Sequence, residues 1–140
     1  MEKSIKIKNT EIIPTFEFLH DLELLAKASR GRNRLQARLS EKNKEFANDL
    51  MDIQKEYFKT NSEGELITED GKNLVPIEGS DLQEFNNKVY ELNDESAEII
   101  FGEDSDKLEA LFAALDDLQI PLSGQKALIY DMLMTAYEEQ

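Results

Sequence analysis

Residues 33–58 read NRLQARLSEKNKEFANDLMDIQKEYF, and this stretch decides the fold class. Leu35, Leu39, Phe46, Leu50, Ile53 and Tyr57 recur at spacings of three, four and seven. Such spacing keeps apolar groups on one face of an α-helix, which turns once in about 3.6 residues. The seam is coiled-coil-like, with Lys42 or Asn43 interrupting it where the next apolar residue is due. The stretch therefore predicts a long charged helix over about 33–58. A helix of about 25 residues extends about 38 Å at about 1.5 Å per residue. That exceeds what a compact core of 140 residues needs, so a neighbouring helix or another subunit is expected to cover the seam.

Outward from this helix, the sequence alternates between helical stripes and short extended pieces. Ser4 to Lys8, SIKIK, puts Ile5 and Ile7 on one face of a strand and lysines on the other. Thr10 opens a first helix, with Pro14 tolerable only near its first turn. That helix is expected to end around Ser29 to Gly31. Gly31 leaves an alternative, a single bent helix, because one glycine costs only about 1 kcal/mol. After the breaker at Thr60 to Gly64, the turn Asp70-Gly71 lies between apolar segments, which signals a β-hairpin. Pro76 makes its second arm an edge or its end. Ser80 with Gln83 reads as a capping box for a third helix. Ala97 to Phe101 is a strand candidate. A fourth helix starts at Ser105 with the stripe Leu108, Leu111, Phe112, Leu115 and Leu118. Ser123 caps a fifth, presenting Leu128, Ile129, Met132, Leu133, Ala136 and Tyr137. The expectation is one domain over residues 1–140 of α+β class, mainly α. In it the long helix packs with shorter helices and a small β-hairpin.

Charge divides this chain. Residues 27–44 carry seven basic side chains and one acidic one, whereas residues 61–140 carry twenty acidic and four basic. The whole has a formal net charge of −14, which argues against nucleic acid and anionic membranes and favours cationic partners. There is no cysteine, so disulfides, thiolate metal sites and cysteine nucleophiles are excluded. No apolar run approaches the roughly 20 residues of a membrane-spanning helix. The amino terminus lacks the apolar core of a signal peptide, so synthesis without classical secretion is the expectation.

Chemistry-bearing patterns are sparse. Phosphate-loop, dinucleotide and nucleophile-elbow motifs are absent. The single histidine, His20, has Glu17 three residues before it but no second histidine at metal spacing. Thirty carboxylates offer many pairs, which makes any chosen pair uninformative. The expectation is no catalytic residue, no cofactor and no metal. Arg34, Arg38 and Lys42 recur every four residues on one helix face. Three readings stand for this face: pairing within the chain or with another copy, a protein partner, or a polynucleotide held through segment 27–44. Arginine forks suit carboxylates and phosphates alike.

Five segments stand out: IKIKNTEIIPTFEFL (5–19), ASRGRNRL (28–35), LMDIQKEYF (50–58), NSEGELI (61–67) and LEALFAALDDLQIPLSGQKALIYDML (108–133). Together they resemble a family of small proteins of tailed phages of Gram-positive bacteria, domain of unknown function 1617. The likeness covers nearly the whole chain and rests on no catalytic motif. It implies a phage origin and transfers no functional residue.

These readings converge on a non-enzymatic interaction protein of the infected host's cytoplasm, forming a homo-oligomer. Its partner is a phage or host protein. Virion or tail assembly is the first role. Alternatives are an early protein inhibiting a host or defence factor, with acidic mimicry of nucleic acid, and a minor nucleic-acid binder. The expected contact residues are Arg30, Arg34, Arg38, Leu39, Phe46, Leu50, Ile53 and Tyr57. The apolar side chains would supply contact and the arginines orientation.

Overall fold

The computed structural model describes residues 3–140. The chain is α+β, mainly α, as its periodicities predict. It divides into two compact units: one runs up to Asn43 and resumes at Ser96–Gln140, and the other is Lys44–Glu95.

In the first unit, β1 (Ser4–Lys8) pairs antiparallel with β4 (Ser96–Ile100) in a two-stranded sheet. Register puts Ile5 opposite Ile99 and Lys6 opposite Glu98. One face thus buries Ile5, Ile7 and Ile99, and the other exposes an opposite-charge pair. The expected strand at Ala97 to Phe101 is displaced by one residue. Phe101 still bonds from its N–H to the Lys3 carbonyl at 2.9 Å and is fully buried.

A short 3-10 turn, Asn9–Glu11, leads into α1 (Ile12–His20). Pro14 sits in the first turn of α1, where a missing N–H costs nothing. The helix stops at His20, earlier than the expected Ser29 to Gly31. Residues 22–25 have no regular structure, and α2 then runs Ala26–Tyr57. Neither a break at Gly31 nor one bent helix describes this. The reason is Arg32, whose guanidinium donates to the carbonyls of Leu19 and Leu22 and to Ser29 Oγ. The carbonyl end of α1 carries partial negative charge, so a cation from the next helix holds the break in place.

Gly31 instead serves packing. A Cβ built there would lie 2.1 Å from the Lys107 carbonyl oxygen and 3.0 Å from Leu111 Cβ. Glycine lets α2 approach the backbone of α4 (Ser105–Asp116). Ala28, Leu35 and Leu39 continue that buried face of α2. Helix α4 buries the expected stripe Leu108, Leu111, Phe112 and Leu115. Helix α5 (Gly124–Glu138) packs against α1, α4 and β1. Its buried face holds Ile129, Leu133 and Met134, whereas Leu128 is 72% exposed. Phe101, Phe112 and Tyr137 form a triangle of nearly parallel rings, with centroids 4.3 Å apart for Phe112–Tyr137, 6.0 Å for Phe101–Phe112 and 6.5 Å for Phe101–Tyr137. The Tyr137 hydroxyl donates to Glu109, which also accepts from Lys3 Nζ.

That hydrogen bond, followed by burial, pushes the Tyr137 phenol up to about 12. A raised pKa in the folded state means the native form holds its proton more tightly. Its contribution is complete below the ordinary value of 10.0 and lost as pH rises toward about 12. The expected result is a stability decline over that alkaline window that is smaller in Tyr137→Phe. Denaturant titrations at stepped pH check it, and equal declines in both chains would count against it.

In the second unit, α2 continues from Lys44, and a hairpin of β2 (Thr68–Glu69) and β3 (Asn73–Leu74) follows. Asp70 and Gly71 both have positive φ, and the Lys72 N–H closes the turn on the Glu69 carbonyl. This is the geometry that favours Asp-Gly. Pairing extends past Pro76, because Lys59 N–H bonds to the Val75 carbonyl and Ile77 N–H to that of Tyr57. Helix α3 (Leu82–Asp94) is capped by Asp81, whose carboxylate accepts from the N–H groups of Gln83 and Glu84. Ser80, expected as the cap, has a buried hydroxyl without a hydrogen bond. An aspartate one position nearer the helix displaces it.

Candidate contact site on the long helix

The eight residues expected to make contact fall into three groups. The first is cationic. Arg38 donates to Asp104 Oδ2 at 2.7 Å and to the Ile100 carbonyl, while Arg34 Nε lies 3.4 Å from Asp104 Oδ1. These arginines therefore fasten α2 to the turn before α4. Lys42, on the same helix face, also has an interaction. Arg30 is exposed and lies elsewhere, beside Lys27 and Lys107. Of the three readings of the basic face, pairing within the chain accounts for Arg34 and Arg38.

The Arg38 hydrogen bond outweighs desolvation and holds the Asp104 carboxyl below its ordinary 3.8. A depressed folded-state value contributes stability present above the unfolded pKa and lost as pH falls through the folded one. Asp104→Asn should lower stability at neutral pH by about 1 to 2 kcal/mol, discounted for partial exposure of both arginines. Its acid sensitivity should also be shallower than that of the native chain. Chemical denaturation at neutral and acid pH reads both effects.

The second group is core. Leu39 is fully buried among the first unit's apolar residues. Tyr57 is 6% exposed in the second unit. Its hydroxyl donates to Glu84, and its ring lies 5.6 Å from that of Phe85. Phe58 meets Phe85 edge-on at 4.9 Å. Lys88 bonds Glu56 at 2.9 Å and stands 5.4 Å from the Tyr57 ring centroid. The hydrogen bond to Glu56, first of all, raises the Lys88 pKa. These contacts join the last turn of α2 to the first turns of α3. Leu39 and Tyr57 are thus corrected from contact residues to core residues: each is the last seam position at which its own unit closes over the helix.

The third group is Phe46, Leu50 and Ile53, all half-buried in the second unit. Their neighbour Met51 is 44% exposed, a residue the seam pattern omitted because it lies off the strict spacing. Lys44, Glu45, Ala47, Asn48, Asp49, Asp52, Lys55 and Glu56 are exposed around them. An incompletely covered apolar row on a charged helix is suited to a protein contact.

Other features were weighed for chemistry. His20 is exposed and stacks on Phe16 at 6.4 Å. It borders a groove of about 460 Å³ floored by Phe16, Phe18 and Ile129 and rimmed by Glu17, Asp21 and Lys126. Among the described residues, no three His, Asp or Glu side chains gather as a metal-ligand group, and no helix is long and apolar enough to cross a membrane.

Fold and site define a mainly helical α+β protein with a half-covered apolar row on its longest helix. The chain belongs to the family described as Protein of unknown function (DUF1617), whose model matches residues 3–140. No curated protein and no solved structure matches it.

Proposed function

We propose that this chain is a non-enzymatic bacteriophage protein that acts through protein–protein contacts, as an accessory of virion or tail assembly in the host cytoplasm, and that it self-associates. The observation that carries this reading is the half-covered row Phe46, Leu50 and Ile53, with Met51 exposed beside it. Burial of such a row excludes water from three large side chains at once, with about 25 cal/mol gained per Å² of apolar surface. Exposed charges flanking it would steer association more than they strengthen it. Family membership over residues 3–140 agrees with the family resemblance of its segments, and the phage origin is what that resemblance implies.

A second reading has its own support. Every acidic residue between Asn61 and Glu95 is exposed. A face of this kind suits acidic mimicry of nucleic acid by an inhibitor of a host or defence factor. The nucleic-acid-binding reading is weaker, because Arg34 and Arg38 already hold Asp104.

Affinity capture separates these roles. Tagged native chain and a Phe46→Glu/Leu50→Glu bait are used on infected and uninfected cells, with quantitative mass spectrometry. Phage structural proteins enriched by the native bait alone, and only after infection, are the expected result. One host factor enriched from both cell samples supports the inhibitor instead. Equal capture by both baits removes the role of the row.

A further inference from the structure

A different part of α2 carries an independent inference. Ala26, Lys27 and Arg30 of its first turns face Asp106 and Lys107 at the start of α4 across a cleft of about 430 Å³. We propose that this cleft binds the phosphate monoester of a small hydroxyl-bearing molecule, such as a nucleotide or a sugar phosphate.

The cleft gathers three cations on a chain that carries 30 acidic and 16 basic residues in all. The neighbouring Arg32, Arg34 and Arg38 all have intramolecular partners. Lys27 and Arg30 have no ion-pair partner among the described residues. Like charges that converge repel, and of the chain's thirty carboxylates only Asp106 lines the cleft, with no ion pair to either cation. Lys27 and Arg30, three apart, share a helix face. The amino-terminal end of a 32-residue helix adds its positive dipole end to the same wall.

The walls are also held at a set distance. Gly31 seats α2 on the Lys107 carbonyl, so backbone contact sets the distance between the two helix backbones from which Arg30 and Lys107 extend. A preorganised site loses less entropy when its ligand arrives.

Charge selects phosphate over carboxylate. Lys27, Arg30 and Lys107 outnumber Asp106 in the cleft even with Asp104 in electrostatic reach of Lys107, and the remaining positive charge suits a monoester of about −1.5 to −2. A carboxylate would need only one arginine fork. Asp106 is out of place beside a bare anion, but a carboxylate accepts from a ligand hydroxyl. The volume lies within the roughly 300–1,000 Å³ of small-molecule sites. The exposed acidic surface elsewhere opposes a long polyanion, which confines the ligand to the cleft.

The test is amide chemical-shift titration of the intact chain at low salt, with ribose phosphate, inorganic phosphate, acetate and a short single-stranded DNA as separate probes. Saturable shifts at residues 26–30 and 105–107 with ribose phosphate are expected, with weaker ones from inorganic phosphate and none from acetate. Lys27→Ala/Arg30→Ala, at exposed positions, should weaken ribose phosphate by at least about tenfold. Lys107→Gln is the second variant, should that pair disturb folding. Acetate acting like phosphate, no saturable shift, or unchanged binding in both variants would overturn the proposal. DNA binding tighter than ribose phosphate, with shifts spreading along α2, would replace it with a polynucleotide site.

Discussion

Gly31→Ala should destabilise the chain by about 1 to 3 kcal/mol, although alanine is the better helix former by about 1 kcal/mol. The two effects have opposite signs, which makes the substitution decisive. An added Cβ would meet the Lys107 carbonyl oxygen at 2.1 Å and its carbon at 2.9 Å. Both are backbone atoms and cannot rotate away as a side-chain end would. Helices α2 and α4 must part, which loosens Leu35 and Leu111, both fully buried. Interiors are packed closely enough that such a shift is felt by every neighbour. A urea titration followed by circular dichroism measures it. A midpoint at or above that of the native chain would show that helix propensity wins and that α2 and α4 are not in close contact.

A larger loss is expected from Phe112→Ala, about 3 to 5 kcal/mol. Phe112 is fully buried and packs against both Tyr137 and Phe101 in a cluster of three rings. Its removal takes away the transfer free energy of the ring and leaves a cavity that those two rings cannot fill without leaving their present stack. Tyr137 is further tethered through its hydroxyl to Glu109, so its collapse into the space would break that bond. Phe112→Leu retains more volume and should cost less. The same denaturation experiment ranks the three chains. A loss under about 1 kcal/mol for alanine would contradict the packing described for the first unit.

Both residues bear on what a sequence can disclose. The strand Ser4–Lys8 is legible because strict alternation of Ile and Lys admits only one buried face. The stripe on α4 is legible for the analogous helical reason, and Asp70-Gly71 because few residue pairs accept two positive φ angles. Gly31 is ambiguous by nature. A glycine that ends a helix and a glycine that admits a neighbouring backbone look alike in one sequence, and only the partner distinguishes them. The actual break after His20 depends on Arg32 reaching back to Leu19 and Leu22, ten and more residues away. On α5 the apolar residues spread around much of the helix, so periodicity could not choose Met134 over Leu128.

The contact row shows the same limit. Leu35 to Tyr57 reads as one seam interrupted at Lys42 or Asn43, and the chain divides at Asn43, so Leu39 serves one core and Tyr57 another. Phe46, Leu50 and Ile53, between those two, are the part that neither unit covers fully. The pairing of Arg34 and Arg38 with Asp104 was visible only as complementary charge, since the partners are more than sixty residues apart.

Sedimentation velocity of the intact chain over rising concentration, beside Phe46→Glu/Leu50→Glu, tests the central claim most directly. The native chain should sediment above the mass of one copy and grow with concentration. The double variant should stay at the mass of one copy with its helix content retained, because its substituted positions are only half-buried. A native chain of single-copy mass at every concentration, or a variant that assembles as the native chain does, would contradict the account. A variant that loses its helices would instead place Phe46 and Leu50 in the core of the second unit and remove the contact row.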